Sequence, residues 1–320
     1  MPAPRTTLPA TRLARRAGAA ALVVFAVGWV THRAGAQSAA PDPRAALVVS
    51  TGWLAEHLRD PDLVLLHVGE RAEYDREHIP GARYASMGAV TVSSHDHERG
   101  LMLEMPESDS LRGRLEALGI SDRSRVVVYY GDDWVSPATR VVFTLDYAGL
   151  GARTTLLDGG MRAWKQEGRP VTADRPAATP GRLSPLRVRP VVVTADWVKS
   201  RLGTPTLRLV DGRAAVYYDG VEAGGPRKGH IAGARSVPFT EVTDDALRLR
   251  PAGELATLFR KAGVAPGDTV VAYCHIGQQA TAVLFAARTL GHPVLLYDGS
   301  FQEWSRRAEL PVDNPAGRGR

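Results

Sequence analysis

Short apolar runs alternate with stretches of helical period along most of the chain. Leu207-Arg-Leu-Val210 reads as a strand, and the β-branched run Thr269-Val-Val-Ala-Tyr273 as a buried one. Glu254 to Ala262 carries a helical pattern with Gly263 just past its end. Val283, Leu284, Ala287 and Leu290 fall on one face of a helix over 280–290, closed by Gly291. Pro293-Val-Leu-Leu-Tyr297 is the next strand. Strands alternating with helices predict an α/β fold, a mainly parallel sheet flanked by helices on both faces.

The pattern occurs twice. Val193-Thr-Ala-Asp-Trp197 echoes Ser50-Thr-Gly-Trp53, and His230-Ile-Ala-Gly-Ala-Arg235 echoes His78-Ile-Pro-Gly-Ala-Arg83. Val270-Val-Ala-Tyr273 echoes Val126-Val-Val-Tyr129, and Asp298-Gly-Ser-Phe-Gln-Glu-Trp304 echoes Asp158-Gly-Gly-Met-Arg-Ala-Trp164. The offsets are 144, 152, 144 and 140, so the order is kept while loops differ. Each copy is about 130 residues, a normal domain size. Between them runs a proline-rich stretch with Pro170, Pro176, Pro180, Pro185 and Pro190, read as an extended linker on the surface. The expected organisation is a leader (1–36), a first domain (37–168), a linker (169–192), a second domain (193–312) and a tail (313–320).

The leader is inferred from order and charge. Arg12, Arg15 and Arg16 precede the apolar run Ala17–Val30, and Ala34-Gly35-Ala36 follows. That is the arrangement of a secretory signal cleaved after Ala36, and the run is short for a bilayer span of about 20 residues. An exported, periplasmic or secreted chain without stable membrane insertion is expected. The leader also explains the charge: Lys+Arg 40 against Asp+Glu 34 becomes 35 against 34 once its five arginines are removed. Nucleic acid is therefore not an expected partner.

The chain has one cysteine, Cys274, so it can form neither an intrachain disulfide nor a cysteine-built metal site. It sits at the carboxyl end of the strand 269–273, ahead of the loop His275-Ile-Gly-Gln-Gln279 and the helix at Ala280. Ligand sites in open α/β sheets lie at such ends. Backbone N–H groups and the helix dipole there favour an anion and are expected to lower the thiol's pKa. Cysteine phosphatases use the same junction but need an arginine six residues on; here that residue is Ala280, and the next arginine is Arg288. A redox sensor would need a resolving thiol, and the chain has none. In the first copy Tyr130 stands opposite Cys274, and the eight residues 130–137, including Asp132 and Asp133, replace the six-residue loop.

The duplicated domain, the His-Ile-(Pro/Ala)-Gly-Ala segments, the loop Cys274–Gln279 and the paired Asp-Gly-x-x-x-x-Trp segments together resemble a tandem-domain rhodanese, the thiosulfate and 3-mercaptopyruvate sulfurtransferase family. The resemblance covers essentially the whole mature chain. It implies two rhodanese-like domains, the first inactive and the second catalytic. It further implies a sulfurtransferase that takes a sulfane sulfur onto Cys274 as a persulfide and passes it to cyanide or a thiol, with no cofactor and no metal. The expected donor is thiosulfate. The alternatives are 3-mercaptopyruvate, or a non-catalytic persulfide carrier. The partners are then a small-molecule donor and acceptor, with the protein a monomer.

His275, Ile276, Gly277, Gln278 and Gln279 would cradle the sulfur. His275 could add partial positive charge, and Gly277 gives the turn its freedom. Departures from the family pattern are visible. His275-Ile276-Gly277 matches neither donor preference, and Tyr217 takes the place of a second arginine after Asp211-Gly212-Arg213. Arg213 is the candidate substrate-binding cation, with an ion pair to Asp211 as its other reading. His78 and His230 recur in both copies and are expected to be structural. Trp164 and Trp304 are expected to pack each domain, with bordering the cleft as a second reading for Trp304. Ser94-His-Asp-His-Glu98 reads as a solvated loop rather than a metal site.

Overall fold

The β-branched runs Val126–Val128 and Thr269–Val271 form the central strands of two sheets with the same layout. The computed structural model describes Pro2 and residues 42–96, 100–132, 134–177 and 179–317. Contacts divide the chain into Met1–Ala40 and Pro41–Arg320. The expected leader, Pro2 apart, and the last residues of the tail lie outside the described residues. No helix among the described residues is long and apolar enough to cross a membrane.

The first domain uses β1 (Val48–Val49), β2 (Leu63–Val68), β3 (Arg83–Tyr84), β4 (Arg125–Tyr130) and β5 (Thr154–Leu157). The second uses β6 (Val192–Val193), β7 (Leu207–Asp211), β9 (Arg235–Ser236), β10 (Thr269–Tyr273) and β11 (Val294–Tyr297), with β8 (His230–Ile231) and β12 (Val312–Asp313) as a separate antiparallel pair. The sheet orders are β1-β5-β4-β2-β3 and β6-β11-β10-β7-β9, with every pairing in both parallel. The expected helices form as Ala252–Lys261 and Gln279–Thr289. The first begins two residues earlier than its apolar pattern, directly after Pro251.

Strand alternation decides which way the chemistry faces. Val126, Val128 and Tyr130 of β4, with Val270, Ala272 and then Cys274, belong to one core shared by the two domains. Val127 and Tyr129 on one sheet, and Val271 and Tyr273 on the other, point into each domain's own core. The shared core forms where helix Ser136–Tyr147 packs on helix Gln279–Thr289. Cys274 therefore faces the seam between the domains. At the far end of the helix pair the buried carboxylate of Asp146 pairs with Arg288 (3.3 Å) and Arg189 (2.5 Å).

The linker runs over the first domain, with Gly181 N–H donating to the Glu116 carbonyl (2.7 Å) and Leu183 and Val191 buried. The paired histidines play matching parts. His78 stacks on Tyr74 at 4.0 Å, and its Nδ1 lies 2.7 Å from the Tyr74 carbonyl; His230 stacks on Tyr218 at 3.7 Å with Nδ1 2.7 Å from the Tyr218 carbonyl. Trp164 and Trp304 are buried, their indole N–H groups donating to the carbonyls of Pro170 and Pro311. Trp304 is thus a core residue of its domain.

One buried group makes the first domain acid-sensitive. His67 is buried among Tyr74, Tyr84 and Tyr129, and neither ring nitrogen has a hydrogen-bond partner. Burial first, and His78 second, lower its pKa to about 4. The unfolded chain binds this proton more tightly, so stability is full above about pH 6.5 and falls as the pH drops toward about 4, by about 3 kcal/mol. His67→Leu should flatten that fall: between pH 7 and pH 4 its melting temperature should drop about 8 °C less than that of the wild type. Parallel melting curves for the two proteins would refute this assignment.

Candidate active site

Cys274 leaves the end of β10 fully buried, with its thiol free. The chain turns at once through Gly277, whose φ of +82° is one that a residue with a side chain rarely adopts. That turn aims four backbone N–H groups, those of Ile276, Gly277, Gln279 and Ala280, at the sulfur. The Asp298–Ser300 turn after β11 supports the loop from below. Ser300 Oγ accepts the Cys274 N–H (3.2 Å), Phe301 N–H donates to the Cys274 carbonyl (3.0 Å) and Gln302 N–H to the His275 carbonyl (3.0 Å).

Of the amides expected from the sequence, those of Ile276, Gly277 and Gln279 are aimed at the sulfur, joined by that of Ala280, but their effect on the resting thiol is outweighed. Burial raises the Cys274 pKa more than the four amides lower it. The dipoles await a negative charge in a place too dry to keep one on the bare thiol.

Arg213 is buried beside this loop. Its backbone and side chain bind the Asp211 carboxylate, with Nε to Oδ1 at 2.9 Å and Nη2 to Oδ2 at 2.6 Å, and Nη2 also donates to the Gly229 carbonyl at 2.8 Å. The ion-pair reading holds, yet it accounts for only part of the guanidinium. Nη1 is buried without a hydrogen-bond partner. A Cβ on Gly224 would sit 2.8 Å from Arg213 Nη1 and 2.8 Å from His275 Cε1, so this nitrogen and the edge of the His275 ring both lie beneath the loop through Gly224.

His275 meets the Tyr217 ring edge-on at 4.6 Å. Burial, then Arg213, lower its pKa from 6.5. The neutral form of His275 is thereby favoured over the charged form considered from the sequence; the cation beside the loop is Arg213. Gln278 Nε2 lies 3.4 Å from Ser136 Oγ of the first domain, and the buried Gln279 Oε1 is unpaired.

The first domain's copy of this pocket is filled. Tyr130, opposite Cys274, places its hydroxyl where it accepts the Gly159 N–H (3.0 Å) and donates to the Leu247 carbonyl (2.6 Å). A Cβ on Gly160 would come within 2.7 Å of the Tyr130 ring, so the plug requires glycine there, whereas Ser300 stands at the same place beside the smaller cysteine. Asp132 turns to Lys165 at 3.8 Å, and Asp133 lies outside the described residues.

Two residues that the sequence reading passed over complete the site. Arg140, fully buried on helix Ser136–Tyr147, donates from Nη1 to the Gly277 carbonyl (3.1 Å) and to Asp298 Oδ1 (2.8 Å). Asp298 Oδ2 also accepts the Met105 N–H at 2.7 Å. The available signal was a charged residue beside the apolar run Val141-Val-Phe143 in the first half of a helix, Val-Ser-Pro-Ala-Thr-Arg-Val-Val-Phe. Among the described residues no group of three His, Cys, Asp or Glu is placed to hold a metal ion; His97 and Glu98 lie outside them.

The Rhodanese-like domain profile matches residues 50–167 and again 194–307. A thiosulfate sulfurtransferase of Rattus norvegicus is 34% identical over 280 residues, 82% of this chain and 92% of that protein. The sulfur carrier protein TtuD of Thermus thermophilus is 31% identical over 283 residues, 83% and 96% of the two chains. A 3-mercaptopyruvate sulfurtransferase of Escherichia coli is 29% identical over 280 residues, 83% and 97%. With a thiol at the strand end of one copy and a tyrosine plug in the other, the chain belongs to the rhodanese-like family and carries two such domains in tandem.

Proposed function

We propose that this protein is a sulfurtransferase that carries sulfane sulfur on Cys274, with thiosulfate as donor. The observation that carries the reading is the convergence of four backbone N–H groups on a single buried thiol. In the first half-reaction the Cys274 thiolate attacks the outer sulfur of thiosulfate. A new S–S bond forms, the old one breaks, and sulfite leaves with the electron pair. In the second, cyanide or a thiol attacks the outer sulfur of the persulfide and the thiolate is released. The amides of Ile276, Gly277, Gln279 and Ala280 stabilise the negative charge on sulfur at both stages. Arg213 Nη1 is the candidate donor to the anionic end of thiosulfate, and the neutral His275 ring forms the wall beside it.

3-Mercaptopyruvate is the second donor reading, because the mixed names of the relatives leave either donor open at this level of identity.

The test is intact-mass spectrometry of residues 37–320 incubated with thiosulfate and then with cyanide. A gain of one sulfur atom that cyanide removes is expected, with 3-mercaptopyruvate run in parallel to rank the donors. A folded protein with a titratable thiol that gains no mass from either donor would refute the enzyme reading. Loading without turnover on any small acceptor would favour a carrier.

A further inference from the structure

The first domain is more than a plugged copy, because one of its residues reaches into the live site. Arg140 Nη1 binds the Gly277 carbonyl and Asp298, and Nη2 binds the Leu103 carbonyl. Three separate pieces of chain meet on this one guanidinium. They are the loop after Cys274, the turn that supports it, and a strap of the first domain that also places the Met105 N–H on Asp298. The Gly277 carbonyl belongs to the peptide that joins Gly277 to Gln278. Two of the amides aimed at the sulfur precede that peptide (Ile276, Gly277) and two follow it (Gln279, Ala280). Holding its plane therefore holds both pairs.

The internal duplication provides a comparison within one molecule. Each domain sends a strap across the seam, turned at a leucine with positive φ: Leu103 (+55°) and Leu247 (+61°). Each strap reaches the other domain's Asp-Gly turn, Met105 N–H to Asp298 and Leu249 N–H to Asp158 (2.8 Å). At the plugged site the Leu247 carbonyl is met by the Tyr130 hydroxyl. At the live site Cys274 stands in place of that tyrosine, and the Leu103 carbonyl is met by Arg140. Thr139 and Thr281 touch across the helix pair at 3.0 Å. One residue further on, the second domain's helix carries Ala282 where the first domain's carries Arg140. The arginine accompanies only the thiol.

We propose that Arg140 is a positioning residue for sulfur transfer, fixing the Gly277–Gln278 peptide from the neighbouring domain so that the loop amides stay aimed at Cys274. This rests on the sulfurtransferase reading. A bare interface ion pair would explain the contact with Asp298 but not the one with the loop carbonyl.

The test combines two readouts on the full mature chain, the pH dependence of Cys274 alkylation by iodoacetamide and the rate of sulfur loading from thiosulfate. Arg140→Gln should move the alkylation midpoint upward and slow loading about 100-fold. Arg140→Lys, which keeps a cation at Asp298, should recover part of both and serves if Arg140→Gln does not fold. Arg288→Met disturbs the same helix pair at its far end and should lower the melting temperature without moving the alkylation midpoint. If both Arg140 variants melt early but alkylate and load as the wild type does, Arg140 is only an interface residue and the proposal fails. If the wild type loads no sulfur while Arg140→Gln still shifts the alkylation curve, the positioning role stands and the sulfurtransferase reading falls.

Discussion

Cys274→Ser should fold as the wild type does and should take up no sulfur from thiosulfate, a loss of at least about 10⁴-fold in loading. The fold is expected to survive because the exchange replaces one buried atom by a smaller one in a pocket already lined with N–H donors. A hydroxyl there has partners on every side. Chemistry should not survive, for two separate reasons. A serine hydroxyl stays protonated at neutral pH with no base placed to activate it: His275, the neighbouring ring, is held neutral but turned against Tyr217 and the Gly224 loop. There is also no second carrier, since the chain holds one cysteine and the matching place in the first domain is occupied by Tyr130. Loading is read by intact mass before and after cyanide. A Cys274→Ser protein that still gained a cyanide-labile sulfur would show that sulfur is held elsewhere, and would overturn the role given to the loop.

The sequence made the duplication and the thiol's address legible because both are local. Repeated motifs keep their spacing, and a β-branched run followed by Cys-His-Ile-Gly is read without knowing what lies across from it. Strand alternation could also have told which core Cys274 faces, as Val270 and Ala272 share its side. Three features of the site were hidden because they arise from contacts distant in the chain. Arg140 acts on Gly277, 137 residues away. The charge state of His275 is set by burial and by Arg213. The resting thiol is governed by a competition that no motif displays: the loop amides were expected to lower its pKa, but burial of Cys274 at the seam between the domains raises it by more. The Tyr130 plug was visible as a letter but not as an object, since its hydroxyl partners lie on the Gly159 turn and on Leu247 of the other domain.

Asp211→Ala should be the most damaging single change outside the loop. Asp211 and Arg213 are both fully buried, and the carboxylate accepts from the Arg213 backbone, Nε and Nη2. Removing it leaves a guanidinium with the Gly229 carbonyl as its remaining partner, in a site over the Phe301 ring at 4.0 Å. Stranding a buried charge in this way costs about 4 kcal/mol, which lowers the melting temperature by about 10 °C in a chain of this size. Replacing both partners by apolar residues, Asp211→Leu with Arg213→Met, removes the stranded charge and should restore much of the stability. That pair of variants separates the two parts assigned to Arg213. If the guanidinium only balances Asp211, the double variant should load sulfur from thiosulfate with an unchanged KM. If Nη1 holds the anionic end of the donor, the double variant should melt near the wild type yet need at least about tenfold more thiosulfate to load, while iodoacetamide, which carries no charge, still reaches Cys274 at the normal rate. The second outcome is the one expected, because a buried arginine whose only task was to neutralise Asp211 would have no reason to leave a donor unpaired beneath the Gly224 loop.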